Sequence, residues 1–381
     1  MNISKRFVTA GSEYTTYASP VAAPLFKLCF EYEKGTDSPF LEISALGFYD
    51  AYINGVKITK GMLAPYISNP EHYAYFDRYE LSDILKEGKN VLCVLLANGF
   101  VNDHGGQIWD FDKASFRGAP ALSFCLFNGR KYYEASDCVW KRSALLYDDY
   151  RCGVVFDARL WNDADLTDAK VSGEEWQKPF PIEEGRIIGE LTLCRAEPIR
   201  VREELEAVSI KEGNVCEYRP RRDVYKDECY LTADDFEGGY VVDFGKITAG
   251  SARLRVKGES GQRVSLRFAE LTDEKGDLDI NNINFQPPGY VQRAVYICRG
   301  GEEEVFEIPF TYYGCRYCHI HGLLPGQVKK DTVTLLSASS AIPEYMEFEC
   351  SSDTVNKIFE LCRRSDLDNF YYFPTDCPQR E

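Results

Sequence analysis

The chain has 381 residues, 44% of them hydrophobic, which is enough for two or three domains with substantial cores. Its 44 Lys and Arg against 60 Asp and Glu leave a formal charge of −16, with no basic block; this excludes nucleic acid as a partner, because phosphate binding needs clustered cations. No stretch approaches the roughly 20 apolar residues of a membrane span, and Met1 to Pro20 lacks the apolar run of a secretory signal.

Aromatic residues reach 14%, with 25 Tyr and 23 Phe, a content that suits pleated β surfaces and sugar stacking alike. Residues 38–150 read as short strands. Phe40 to Ala45 alternates, and Tyr49 to Lys57 follows after Gly47 with Asn54-Gly55 inside it, the strongest short hairpin signal. Leu81 to Leu85, closed by Gly88, predicts one helical turn. Asn90 to Ala97 is a continuous apolar run, as expected of a strand buried on both sides. The spacing predicts a β-sandwich that the looser residues 151–195 help to close. After Asn98-Gly99-Phe100, the residues Asn98, Asn102, Asp103, His104 and Trp109 group polar side chains beside an indole, a combination that suits a sugar as well as a packed loop.

From Ala196 to about Ser337 a second strand series appears: Tyr240–Phe244, Ala252–Val256, Val264–Phe268, Ala294–Cys298, Val305–Phe310 and Cys315–His321, punctuated by glycines. A spacing near ten residues predicts a second β-sandwich. Within it, Cys315-Arg316-Tyr317-Cys318-His319 matches a haem-attachment or zinc pattern. Strand alternation puts Cys315, Tyr317, His319 and His321 on one face and Cys318 on the other, so neither haem nor metal is expected there. Asp273 to Asp279 is an acidic loop whose spacing does not fit a calcium-binding EF-hand. Most of the fourteen Cys sit singly in apolar strands such as Val91-Leu92-Cys93-Val94, as small buried hydrophobes. They point to a reducing, cytoplasmic compartment. Past Cys350 the pattern turns helical: Ser351-Ser352-Asp353 is a cap, and Val355, Ile358, Phe359 and Cys362 follow at helical spacing.

The chain ends Phe373-Pro374-Thr375-Asp376-Cys377-Pro378-Gln379-Arg380-Glu381, which resembles the signature of bacterial α-L-rhamnosidases of glycoside hydrolase family 78. Upstream segments are similar to that family in the family's own order. They are Gly47 to Gly55 with Leu63-Ala64-Pro65, Asn98-Gly99-Phe100, Phe156 to Arg159, Val242 to Gly250, Phe268-Ala269-Glu270, and Phe310 to Tyr317. Two departures, Lys246 where Asn is usual and Cys315 in place of an aromatic, fall in the second sandwich. The resemblance covers residues 25–381.

The resemblance implies a mainly β chain: an N-terminal sandwich over 1–195, a second over 196–337, and over 338–381 the incomplete start of an (α/α)6 catalytic barrel. It implies Glu381 as general acid, with Asp376 and Arg380 as sugar ligands. Glycoside cleavage with inversion needs a second carboxylate to activate water, roughly 6.5–9.5 Å from the first. The family's general base lies further along the barrel, so the 381 residues alone are expected to lack hydrolase activity. The implied substrate is a rhamnose-containing glycoside or oligosaccharide. No cofactor, metal or membrane is expected, and a homodimer is compatible with the sequence. A carbohydrate-binding pair of sandwiches without catalysis, or an (α/α)6 glycosidase for another sugar, are the alternative readings. The first barrel helix would expose Val355, Ile358 and Phe359, a patch expected to pack back, fray or associate, with order lost beyond about residue 365.

Overall fold

The computed structural model describes residues 2–15, 19–35, 37–102, 113–171, 173–182, 186, 188–216, 237–283 and 292–378. The chain divides into two compact units. The first is Met1–Tyr150 with Phe156–Ala196; the second is Arg151–Val155 with Glu197–Glu381.

The first unit is built from two β-sheets. One runs Val139–Arg142, Pro24–Tyr32, Gly88–Ala97, Phe48–Ile53 and Val56–Lys57, antiparallel throughout. The other centres on Phe40–Leu46, flanked by Ala121–Phe127 and Tyr73–Glu80. Every second residue of these strands meets in one core: Phe26, Leu28 and Phe30, Leu92, Val94 and Leu96, then Leu41 and Ile43, and Leu122, Phe124 and Leu126. This is the period of two that strand geometry imposes. The hairpin falls on Asn54-Gly55, where both residues adopt positive φ (51° and 85°), as a type I′ turn requires. Asn54 completes it by accepting the Val91 N–H at 3.1 Å and donating to Asn90 Oδ1 at 2.8 Å. Leu81 to Leu85 forms a single turn, with the Ile84 and Leu85 amides both on the Leu81 carbonyl, and no regular helix.

The second unit is organised on the 17-residue strand Tyr240–Val256. It pairs with Tyr313–His321 and Val333–Ser340, and also with the short strands Ser209–Glu212 and Glu304–Glu307. Its pairing with Tyr313–His321 shifts register between Asp243 and Thr248, around Gly245 at φ 83°. That break lets one strand change partners along its length. Arg263–Ala269 and Arg293–Ile297 extend the sheet on one side, and Ile199–Leu205 closes the other. The segment Arg151–Val155 belongs here because Gly153, at φ 121°, lies so close to the Arg293 carbonyl that an added Cβ would stand 1.6 Å from it.

The helix Asp353–Asp368 follows, with the Ser352 side chain accepting the Val355 N–H at 3.4 Å. Val355, Ile358 and Leu361 stay exposed, at 43%, 54% and 62%. Phe359 packs on Phe348 with ring centroids 5.0 Å apart. Order does not end near residue 365: Leu367, Asp368 and Tyr371 are buried, and a short hairpin pairs Phe370–Tyr371 with Phe373–Pro374. The expectation of fraying weighed the apolar stripe, whereas it is the polar end of the helix that docks.

Candidate active site

The carboxylate-bearing C-terminal segment is held to the second unit by polar contacts. Asp368, in the last turn of the helix, accepts from Arg202 Nη2 and from Thr248 Oγ1 at 2.7 Å each, both on Oδ1. A carboxylate here can only accept, so the Thr248 proton is committed to it. The 2.7 Å contact between Thr248 and Ser337 is therefore a donation from the Ser337 hydroxyl. Arg202 Nη2 also reaches Ser337 Oγ at 3.2 Å. The three partners come from three neighbouring strands, Ile199–Leu205, Tyr240–Val256 and Val333–Ser340.

Beyond Asp368 the chain reverses. The Asn369 amide bonds back to the Ser365 and Asp366 carbonyls. Tyr371 is fully buried and stacks on Tyr312, with centroids 3.9 Å apart and planes 14° from parallel. Burial pushes the Tyr371 phenol well above its usual range. Tyr372 occupies the left-handed region at φ 69°, which a large side chain rarely adopts. Its amide donates to Ser340 Oγ at 2.6 Å, and the Thr375 amide closes the turn on the Asn369 carbonyl at 2.8 Å. Asp376 then stands exposed, with the Cys377 thiol 3.9 Å from Oδ2. Arg380 and Glu381 lie outside the described residues. The structure thus places Asp376 and the path leading to it.

A second carboxyl of interest in this unit is Glu270, in the Phe268-Ala269-Glu270 segment. Burial raises its pKa, opposed by a hydrogen bond from Asn282 Nδ2 at 3.2 Å. Burial, to which the charges of Glu270 and Asp368 add, pushes the Cys315 thiol up.

The other sequence candidates have structural employment. Asn98 donates its backbone N–H to Asp148 Oδ1 at 2.7 Å and its side-chain amide to Oδ2 at 2.8 Å. Asn102 Nδ2 bonds Asn98 Oδ1 and the Thr15 carbonyl. Asp103, His104 and Trp109 lie outside the described residues. His319 Nε2 sits 2.7 Å from the Gly238 carbonyl, an acceptor, so Nε2 carries the proton; burial lowers the ring to about 4 and keeps it neutral. Cys318, across the strand, has its thiol pushed up by burial. Asp273 Oδ1 accepts from the amides of Lys275, Gly276 and Asp277, so the acidic loop folds on its own carboxylate. The residues that sequence reasoning missed are Asp368, Arg202, Thr248, Ser337 and Ser340. One signal was present. An acid in the last helical turn opposes the helix dipole by about 0.3–1 kcal/mol, so Asp368 called for a cation.

Comparison with known proteins gives three consecutive family matches. Residues 34–203 match the α-L-rhamnosidase N-terminal domain, 235–339 the bacterial α-L-rhamnosidase concanavalin-like domain, and 343–381 the six-hairpin glycosidase domain of the same enzymes. An α-L-rhamnosidase of Formosa agariphila is 27% identical over 99% of this chain and 38% of that protein. One of Streptomyces avermitilis is 26% identical over 95% of this chain and 33% of its own length. Among solved structures, an α-L-rhamnosidase from Dictyoglumus thermophilum superposes with a TM-score of 0.81 at 24% identity, covering 99% of this chain and 40% of that one. The Streptomyces avermitilis α-L-rhamnosidase complexed with L-rhamnose gives 0.80 at 23%, covering 95% and 33%. These superpositions carry the fold. The chain spans between a third and two fifths of the length of the curated relatives it matches.

Proposed function

Because the chain belongs to the bacterial α-L-rhamnosidases, we propose that it supplies the front part, including the catalytic acid, of an inverting glycoside hydrolase that removes terminal α-L-rhamnose. The observation that carries this reading is the order of the three matches, the last ending on the Asp376-to-Glu381 motif, together with the anchoring of that motif's stem by Asp368.

In the proposed reaction the Glu381 carboxyl donates its proton to the glycosidic oxygen as the bond to the anomeric carbon breaks. Water attacks that carbon from the opposite face and loses its proton to a second carboxylate. Asp376 and Arg380 hold sugar hydroxyls, the carboxylate by accepting and the guanidinium by donating from its planar fork. To carry a proton near neutrality, Glu381 needs burial or a neighbouring negative charge, and Asp376 is five residues away in sequence. The substrate class is a glycoside or oligosaccharide with rhamnose at its non-reducing end. A reducing compartment is part of the proposal. It is supported by the thirteen cysteines among the described residues, none of them joined in a disulfide.

The test is hydrolysis of an aryl α-L-rhamnoside by the full-length encoded protein beside its Glu381→Gln variant. Loss of cleavage on the substitution, on the order of 10²-fold or more, is the expected result. No cleavage by the unsubstituted protein would end the rhamnosidase reading. The 381-residue chain assayed alone is expected to show no enzyme-like turnover.

A further inference from the structure

We propose that Asp368, with Arg202, Thr248, Ser337 and Ser340, is a positioning device by which the second β unit fixes the stem, Asn369 to Thr375, from which the chain runs on to the proposed general acid. The proposal rests on the rhamnosidase reading and deepens it. Three observations converge. The first is a carboxylate at the helix end where the dipole opposes it, held by an ion pair of 2.7 Å and by a hydroxyl chain through Thr248 to Ser337. The second is the left-handed Tyr372, a strained conformation that persists where its surroundings over-determine it. Here they do: Ser340 Oγ takes its amide, and the Tyr371–Tyr312 stack fixes the residue before it. The third is distance along the chain. Asp376 comes four residues after Tyr372, and the Thr375 amide is already tied back to Asn369.

A rigid stem of this kind matters most for proton delivery. A carboxylic acid protonates a leaving oxygen within hydrogen-bond reach, and a displacement of about 1 Å can cost on the order of 10²-fold in rate. Sugar contacts spread over several groups tolerate such a shift better. The device therefore acts on the acid's placement, and its loss should scale with how much the leaving group needs a proton.

The experiment uses Asp368→Asn, Arg202→Met and Ser340→Ala, the last leaving the ion pair intact. Amide hydrogen exchange is followed at Tyr372 and Thr375 in the 381-residue chain. In the full-length encoded protein, hydrolysis of an alkyl rhamnoside is compared with that of a dinitrophenyl rhamnoside, whose leaving group departs without acid help. Expected are exchange at least about 10-fold faster and an alkyl-rhamnoside kcat about 10- to 100-fold lower, with the dinitrophenyl substrate within about 3-fold of the unsubstituted enzyme. Arg202→Lys should restore part of the loss. Unchanged exchange, or equal losses on both substrates, overturns the proposal, because a merely structural role moves both rates together. An unsubstituted protein that cleaves neither substrate defeats the rhamnosidase reading instead, and the exchange data then still decide whether the anchor exists.

Discussion

The first and second β units hold Asp148 and Asp368, two of the buried aspartates, by opposite means. Asp148 in the first is 2% exposed, and both its oxygens receive neutral amide donors from Asn98. Asp368 in the second receives a guanidinium and a hydroxyl. The amide clamp satisfies hydrogen bonding without neutralising charge. Desolvation therefore outweighs the Asn98 bonds and pushes Asp148 up to about 7, with the neighbouring Asp149 adding to the rise. Arg202 supplies both the hydrogen bond and the countercharge. The difference teaches that a buried carboxylate is defined by the charge of its donors more than by their number.

The largest expected effect tests the first half of that contrast. The folded pKa of Asp148 lies above its ordinary 3.8, so the folded state holds the proton more tightly than the unfolded chain. Its contribution to stability is greatest at low pH, falls as pH rises from about 4 to about 7, and is flat above. The whole swing is on the order of 4 kcal/mol. Asp148→Asn removes the titration and turns an N–H₂ toward one of the Asn98 donors, costing about 1–3 kcal/mol at low pH. Denaturant melts from pH 4 to pH 8 should show the variant weaker at the acid end and the gap closing or reversing with rising pH. Parallel curves would mean that Asp148 is ionised throughout, and the contrast with Asp368 would collapse.

A smaller effect is expected from turning Asp368 into the likeness of Asp148. Arg202→Met leaves the hydroxyl bond and removes the countercharge. Loss of a buried partner costs about 3–5 kcal/mol; Arg202 is 27% exposed along its side chain, so roughly 1–3 kcal/mol is expected here. Adding Asp368→Asn should then recover part of the loss, since no charge remains to be stranded. Two independent, additive losses in the double variant would show that the pair is not coupled.

How legible these features were differs along the chain. Alternation exposed the Phe40 strand, a continuous apolar run exposed the Asn90 strand, and Asn54-Gly55 exposed the hairpin inside Tyr49 to Lys57, because these are local patterns that any reader can count. The helix after Ser352 was equally plain from its cap and spacing. The exposure of Val355 and Ile358 followed from that spacing, but the docking of the helix end did not, because amphipathicity names an apolar face and it is Asp368 that is buried. The candidate site was legible only as a motif, Asp376 to Glu381. The residues that hold its stem are brought together by strand pairing between Thr248, Ser337 and Arg202, positions over a hundred residues apart at the extremes, which no local pattern encodes. Asn98 and Asn102 looked like ligands because amides beside an indole suit a sugar equally well; their commitment to Asp148 and Thr15 is a tertiary fact.

The smallest expected effect concerns the residue at the centre of the anchored stem. Tyr371 is 1% exposed, its ring stacked on Tyr312, and its hydroxyl has no hydrogen-bond partner among the described residues. Asp148 and Asp368 both find donors, and the Tyr371 phenol stands in contrast to them. A buried hydroxyl without a partner costs about 1–3 kcal/mol before packing is counted, and deleting it while keeping the ring returns a fraction of that. Tyr371→Phe should therefore leave stability unchanged or raise it by up to about 1 kcal/mol, read as a shift in denaturant midpoint with the slope preserved. A clear loss of stability in the same melt would mean that the hydroxyl is bonded after all.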